Sequence, residues 1–344
     1  MIEIDGSDGG GQLVRTALSL AAITGEPIRM ENVRGARSNP GLRQQHLAVL
    51  NILTDVCDAA VSEVAVGSDE FEFRPGSITP GTYGIDIGTA GSVPLLFDAL
   101  FPLAVATDEP LSVSGRGGTD VRWSPPIAYQ SRVKLPVLRE HGLHAVVERD
   151  RPGFYPAGGG VSTLRLAPSS LTPIALTDRG PFQGARVYSL ASEALAGDEV
   201  AQRQAETAVE RLEEHGLGTV ECAIKYAETD SPGSSVVIRL DFARAIAGAD
   251  ALGERGKPAE VVANEAVEDA ILVRDSRAAV DRYMADQLVL PLALAGGRVS
   301  IPDVTEHVAT SVDLLGTFDL AVRVEQGDTP KLVSSGTDAI PSPD

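Results

Sequence analysis

Side chains that could bind and attack a nucleotide cluster near the C-terminal end of the chain. Tyr283, Asp286 and Gln287 lie within five residues, and His307, one of only five histidines, follows twenty residues after Gln287. An aromatic ring can stack on a base, a carboxylate can hold Mg²⁺, and an imidazole can attack a phosphorus atom. The spacing alone is more typical of an amphipathic helix with a polar end and a surface histidine.

A glycine-rich segment near the N-terminus is a candidate phosphate site. Asp8 and three consecutive glycines precede Gln12 at the start of an apolar, helical pattern. Backbone N–H groups at such a helix start can face an anion, and the helix dipole favours negative charge there. Arg15 follows about one turn along and adds a guanidinium. The alternative is a helix cap formed by Asp8 and a simple glycine turn.

A second segment, residues 34–46, concentrates positive charge within an acidic chain. It carries Arg34, Arg37, Arg43 and His46 in a loop that leads into a helix. Guanidinium forks match the oxygens of a phosphate group. Surface ion pairs with the many carboxylates of the chain explain the same run equally well.

The charge balance says more about the solvent than about the ligand. The chain has 29 Lys and Arg against 48 Asp and Glu, a net charge of −19, and only four of the basic residues are lysines. An acidic, lysine-poor composition suggests very high salt, where a Debye length of about 3 Å screens most of this charge. We therefore predict a halophilic protein, and its acidity does not exclude an RNA partner.

The composition also bears on location. No run of about 18 apolar residues is present, the first residues lack the pattern of a signal peptide, and Cys57 and Cys222 lack the spacing of a metal site. These features predict a cytoplasmic protein without a membrane span. The sequence leaves the oligomeric state open.

Three segments share one plan, in which a glycine-rich or polar start leads into an apolar helix and then into a strand. The expected elements are helices at 13–23, 44–59, 93–106, 132–141 and 283–295, and strands at 62–66, 70–74 and 145–148. Pro291 should kink the last helix. This alternation predicts repeated α/β units, with residues 1–183 and 277–344 forming one large domain.

Residues 184–276 differ because they are more charged and lack glycine-rich helix starts. We expect an amphipathic helix at 202–214, ended by Gly216, with strands at 220–226 and 236–240. This segment is predicted to be a small inserted α/β domain. The tail from Gln326 should fray after a strand near Leu332.

Six stretches, in order, resemble the RNA 3′-terminal phosphate cyclase family over essentially the whole chain. They are 9–15 (GGGQLVR), 40–46 (PGLRQQH), 118–120 (GTD) with 125–126 (PP), 153–160 (GFYPAGGG), 259–263 (AEVVA) and 283–294 (YMADQLVLPLAL). The resemblance implies an α/β fold of three repeats, each similar to the C-terminal domain of bacterial initiation factor 3. A small domain would be inserted before the third repeat. His307 stands where this family keeps its nucleophile.

The resemblance also implies an ATP-dependent enzyme that converts RNA 3′-phosphate ends into 2′,3′-cyclic phosphates with Mg²⁺ or Mn²⁺. His307 would take AMP from ATP and pass it to the RNA 3′-phosphate, which the neighbouring 2′-OH would then attack. The implied residues are Tyr283, Met284, Ala285, Asp286, Gln287, Pro125 and Asp98 for ATP; Arg15, Arg37, Arg43 and Gln12 for phosphates or RNA; and Asp8 and Asp286 for metal.

Three positions depart from the family pattern. Asp8 replaces a glutamate, Asp98 replaces a glutamine of the second repeat, and Pro152 stands where a basic residue is usual. The first departure leaves the metal geometry open, and the second weakens one implied ATP contact.

Other functional classes fit parts of this pattern. A non-catalytic, cyclase-like RNA-binding ribosome-assembly factor would lack the nucleophile, so His307 argues against it. An enolpyruvyl transferase has similar repeats but needs a lysine- and arginine-rich site, and the four lysines do not fall at the helix starts. A purely structural RNA-binding module fits an acidic surface poorly outside high salt.

Overall fold

The first α/β unit is built on a four-stranded sheet in the computed structural model, which describes residues 1–337. Its elements are β1 (Ile2–Asp5), α1 (Gly11–Thr24), β2 (Ile28–Glu31), α2 (Gln44–Cys57), β3 (Ala60–Val61) and β4 (Phe71–Arg74). The strand order is β1-β2-β4-β3, with β1 parallel to β2 and the other neighbours antiparallel.

The second unit repeats this topology. Its elements are β5 (Gly81–Asp86), α3 (Val93–Leu100), a 3₁₀ helix (Phe101–Val105), β6 (Leu111–Gly117), α4 (Ile127–Tyr129), a π-helical turn (Gln130–Lys134), α5 (Leu135–Glu140), β7 (Ala145–Arg151) and β8 (Gly160–Leu166). The order β5-β6-β8-β7 again has one parallel pair, β5 with β6, followed by two antiparallel pairs.

The third unit has the same order but is split in sequence. Its elements are β9 (Ile174–Leu176), α8 (Arg282–Gln287), α9 (Val289–Ala295), β14 (Gly297–Ser300), α10 (Glu306–Gly316), β15 (Arg323–Glu325) and β16 (Lys331–Ser334). β9 pairs in parallel with β14, and β16 lies antiparallel between β14 and β15. The prediction of repeated α/β units is therefore confirmed. The insertion follows the first strand of the third unit rather than preceding the whole unit.

The inserted segment forms the fourth sheet. Its elements are β10 (Phe182–Ser192), a 3₁₀ turn (Glu193–Leu195), α6 (Val200–Glu214), β11 (Thr219–Ala227), β12 (Ser234–Phe242), β13 (Ala245–Leu252) and α7 (Ala259–Asp275). The strand order is β11-β10-β12-β13. Alanine and valine side chains from α6 and α7 pack on this sheet in a core of their own, whereas the three units share one larger core.

Local sequence explains the helices that carry the site. In α1, Val14, Ala17, Leu18 and Ala21 recur at helical spacing and are fully buried. Gly25 then ends the helix with a φ of 73°, a left-handed conformation that glycine adopts without strain.

Pro291 divides the helix expected at 283–295 into α8 and α9, with the break at Leu288. Proline lacks an N–H and its ring crowds the carbonyl four residues earlier, that of Gln287. The predicted irregularity is confirmed, and it falls one turn before the proline itself.

Two expected boundaries were wrong. Residues 62–66 are not a strand, because the following turn pairs with the loop at 40–42 through the Gly67 N–H to Leu42 carbonyl bond of 2.8 Å. The helix expected at 132–141 begins at Ile127 and includes the π-helical turn.

The predicted last strand is present as β16, and residues 338–344 of the tail lie outside the described residues. No helix among residues 1–337 is long and apolar enough to cross a membrane.

Candidate nucleotide and phosphate site

A cavity of about 1050 Å³ opens where the three units and the inserted domain meet. The predicted site residues in its wall are Gln12, Arg15, Arg37, Arg43, Asp98, Pro125, Tyr283, Asp286, Gln287 and His307. Met284 and Ala285 instead belong to the core and are 0% exposed, so their side chains do not line the cavity. Asp8 lies in a small adjoining pocket that shares His307 and Arg37 with the cavity.

His307 lies in the first turn of α10, which begins with Thr305 as its cap. The Thr305 Oγ1 accepts the Val308 N–H at 3.1 Å, and this fixes the helix start. The imidazole makes no hydrogen bond with residues 1–337. Partial burial, then the Arg37 guanidinium, lowers the pKa of His307 below its usual value. The ring is therefore neutral at pH 7 and carries a free nitrogen lone pair.

Neighbouring side chains support α10 without engaging the imidazole. The Gln12 Nε2 donates to the Ser311 Oγ at 3.0 Å and ties the start of α1 to α10. The family resemblance implies that Gln12 is a phosphate ligand, but one N–H of its amide is already engaged in this hydrogen bond between the two helices. Glu306 makes no hydrogen bond to His307 and acts on it only through charge, which raises the pKa of the imidazole.

The start of α1 is an uncapped helix N-terminus. The N-cap position is occupied by Gly10, not by Asp8, and no side chain accepts a hydrogen bond from the first N–H groups of the helix. A Cβ at Gly11 would come within 2.4 Å of the His46 Nε2 and 3.1 Å of the Arg15 Nη1. Glycine is therefore required for the close approach of these groups, and the N–H groups at the helix start remain available to an anion.

Arg15, Arg37 and Arg43 line the cavity without an ion pair or side-chain hydrogen bond to any of residues 1–337. Burial lowers the pKa of Arg15 to about 10, so its charge persists at neutral pH. Arg34 differs, because its Nη1 donates to the carbonyls of Asn39 and Gly41 at 2.9 Å and shapes the loop. The alternative of surface ion pairs for the segment 34–46 therefore does not describe Arg37 and Arg43.

His46 is a site residue that the sequence did not single out individually. Its Nδ1 accepts the backbone N–H of Arg43 at 3.1 Å, so its proton is on Nε2, which faces Gly11 at the start of α1. Burial, with Arg15 and Arg34 nearby, lowers the pKa of His46 to about 3. The side chain is a neutral donor beside the arginines.

Asp98 lines the cavity but is engaged with two neighbours. Its Oδ1 accepts from the Lys134 Nζ at 2.8 Å and from the Gln130 Nε2 at 2.5 Å. Both partners come from the π-helical turn, a feature that is frequent at functional sites. Lys134 is 4% exposed and was missed because an isolated lysine within a helical pattern carries no signal.

Tyr283 and Pro125 both line the cavity. Tyr283 is 45% exposed and rests edge-on against Tyr129, with ring centroids 6.1 Å apart. One turn along α8, the Asp286 Oδ1 is buried without a hydrogen-bond partner. Burial raises the pKa of Asp286 to about 7, while Lys134 acts in the opposite direction.

Asp281 holds this region together and was also missed. It caps α8, because its Oδ1 accepts the Met284 N–H at 2.9 Å and the Tyr129 hydroxyl at 2.7 Å. Its Oδ2 accepts the Gly248 N–H of the inserted domain at 2.8 Å. An aspartate directly before a helix is a recognisable cap signal, whereas its distant partners are not.

The surroundings of Asp8 and Asp286, the two candidate metal ligands, indicate what kind of metal site the protein could form. No group of three His, Cys, Asp or Glu side chains among residues 1–337 could enclose an ion, and Asp8 and Asp286 line different pockets. Mg²⁺ bound mainly through phosphates and water needs only one or two carboxylates. The residues therefore fit an ion held with a nucleotide, not one held by the protein alone.

These features together define an α/β enzyme of three repeats whose cavity suits a phosphorylated ligand and presents a neutral histidine. The chain belongs to the RNA 3′-terminal phosphate cyclase family, whose model matches residues 7–324.

Curated relatives agree with this assignment. An RNA 3′-terminal phosphate cyclase of Halobacterium salinarum is 47% identical over 343 residues, covering 96% of this chain and 99% of its own. Those of Thermococcus gammatolerans and Methanopyrus kandleri are each 40% identical, covering 92% and 94% of this chain and 92% and 95% of their own.

Proposed function

We propose that the protein uses ATP to convert an RNA 3′-terminal phosphate into a 2′,3′-cyclic phosphate through a covalent His307–AMP. The observation that carries this proposal is a neutral, unbonded His307 in one cavity with three arginines that have no acidic partner. Family membership supplies the reaction class.

The first step forms the covalent adenylate. A lone pair of the His307 imidazole attacks the α-phosphorus of ATP, an N–P bond forms, and the bond to the β-phosphate oxygen breaks to release pyrophosphate. Arg15, Arg37 and the N–H groups at the start of α1 neutralise the charge on the phosphates. The depressed pKa of His307 keeps the lone pair available at neutral pH.

The second and third steps use the RNA end. An oxygen of the 3′-phosphate attacks the phosphorus on His307, the N–P bond breaks, and AMP is transferred to form an anhydride. The 2′-OH then attacks the RNA phosphorus and expels AMP, and its proton goes to solvent. The cavity contributes mainly positioning and charge neutralisation.

Other side chains of the cavity bind the nucleoside. We assign Tyr283 and Pro125 to stacking on adenine, and Asp286 and Gln287 to polar contacts with ATP. Asp98 acts through Lys134, which it holds at the cavity wall.

Mg²⁺ or Mn²⁺, when bound, supplies charge neutralisation on the phosphates. We assign Asp8 to this ion, because it shares a pocket with His307 and Arg37. Asp286 is the weaker candidate, because Lys134 lies near it.

The test is incubation with α-³²P-labelled ATP and divalent metal in high salt, followed by denaturing gel analysis. We expect acid-labile, alkali-stable label on the protein, as for a phosphoramidate, and its loss in His307→Ala. His144→Ala is the matched control, because His144 is exposed, does not line the cavity, and its ring bonds to the Pro168 carbonyl.

Label that persists in His307→Ala would contradict the assignment of the nucleophile. Absence of label on the wild-type protein, with RNA still bound, would instead favour the non-catalytic assembly factor.

A further inference from the structure

Asp250 is an unpartnered carboxyl in the cavity wall that the proposed reaction does not use. It lies on β13, two residues after Gly248, so the two residues face the same side of the sheet. A Cβ at Gly248 would come within 2.9 Å of the Tyr129 ring, so this side faces the second unit, and Asp250 lines the cavity there.

The Asp250 side chain makes no hydrogen bond or ion pair with residues 1–337, and its Oδ1 is shielded from solvent. The other acids that the inserted segment contributes to the cavity have partners: Glu254 pairs with Arg122 and Lys257, and Glu265 with Lys257. A buried polar atom without a partner is costly, and a missing ligand group is one explanation.

The charge state of Asp250 fits an uncharged ligand group. Burial raises the pKa of Asp250 to about 8, and the carboxyls of Asp281, Asp269 and Asp120 act in the same direction. At neutral pH the group is mostly the protonated acid, which offers one O–H donor beside one carbonyl acceptor.

Adenine presents the complementary pair on one edge, the acceptor N1 beside the donor 6-amino group. Asp250 and Tyr283 line the same cavity, and they are near enough for the Asp250 carboxyl to raise the pKa of the Tyr283 phenol, so a base stacked on this ring would have Asp250 close to one edge. We propose that Asp250 reads the N1 and 6-amino edge of the ATP base and so determines the preference for a 6-aminopurine. This inference rests on the proposed function, because it requires ATP in this cavity.

The experiment measures competition against α-labelled ATP in the self-labelling reaction. The competitors are unlabelled ATP and purine riboside triphosphate, which has hydrogen in place of the 6-amino group. The wild type should bind the analogue about tenfold more weakly than ATP, because the analogue keeps N1 and loses only the hydrogen bond from the 6-amino group. In Asp250→Ala the two competitors should be equal within about twofold.

Two further variants sharpen the test. Asp250→Asn keeps one donor and one acceptor, so it should retain the preference for ATP. Glu210→Ala is the matched control, because Glu210 is an exposed acid on α6 that does not line the cavity, and it should behave as wild type. Thermal unfolding midpoints of the variants show whether each folds, and Asp250→Asn provides the test if the alanine variant does not.

An unchanged preference for ATP in Asp250→Ala overturns the inference, as does equal loss in the alanine and asparagine variants. A change in competition by 2′-deoxy-ATP alone in Asp250→Ala would also overturn the inference, because it would show that Asp250 contacts the ribose. If the wild-type protein forms no covalent label, the proposed function itself fails. If the label forms but Asp250→Ala keeps the preference for ATP, only the role of Asp250 is refuted.

Discussion

Three arginines line the cavity without an ion-pair partner among residues 1–337, whereas Arg186 and Arg203 of the inserted domain each bond carboxylates. Arg203 binds both oxygens of Glu260 at 2.8 and 2.9 Å, and Arg186 contacts Glu221 and Asp241 at 2.5 and 2.7 Å. Acidic side chains also line the cavity, but Asp98 pairs with Lys134, and Glu254 and Glu265 pair with Lys257. The net charge of the chain therefore does not indicate where its unpaired guanidinium groups lie.

The largest expected contrast is in activity. Arg37→Ala removes a guanidinium that stabilises developing charge near His307, so the rate of self-adenylylation should fall about 10²-fold. Arg203→Ala removes an exposed, paired arginine and should change that rate less than about twofold. Rapid-quench measurement of labelling checks both variants. Equal losses in the two would show that the cavity arginines are no more than surface charge.

A second contrast concerns stability. Lys134→Met leaves the partly buried Asp98 without its cation, so the free energy of unfolding should fall by about 2 kcal/mol. Arg211→Met breaks an exposed pair with Glu214 and should have no measurable effect on stability. Denaturant unfolding at fixed salt gives both values. An unaltered stability in Lys134→Met would mean that Gln130 alone satisfies Asp98.

Salt should act on the acidic surface as a whole. Raising KCl from about 0.1 M to about 3 M shortens the Debye length and weakens repulsion among the excess carboxylates, so the free energy of unfolding should rise. Full stability and activity in dilute buffer would remove the halophilic interpretation.

The smallest effect is expected in the pH profile. The self-adenylylation rate should rise with pH through the pKa of His307, which lies below the usual 6.5, and level off by neutral pH. Because the Glu306 carboxylate raises the pKa of this imidazole, Glu306→Gln should move the midpoint to lower pH. The profile of Asp303→Asn, which changes an acid outside the cavity wall, serves as the control. A midpoint that moves upward in Glu306→Gln would contradict the stated electrostatics.

Periodicity located most helices because each signal is local. Ala205, Ala208 and Leu212 recur at helical spacing in α6 and are buried, as the pattern indicated. Strands were harder, because pairing depends on distant segments. The sequence reasoning did not identify β13, whose residues face both cores. It also placed a strand at 62–66, where Ser62 still bonds to Glu72 of β4 but the following turn at residues 67–68 bonds to Leu42.

The sequence by itself determined the elements whose causes are local: the helix starts, the break before Pro291, and the order of motifs that identifies the family. Only the tertiary structure decided which polar groups have partners. Asp98 and Lys134 are 36 residues apart, and Asp281 joins groups 152 and 33 residues away. Whether a charge is paired depends on such distant contacts. For that reason three features became visible only in the folded chain: the lack of ion-pair partners at the three cavity arginines, the position of His46 beside them, and the unpartnered Asp250.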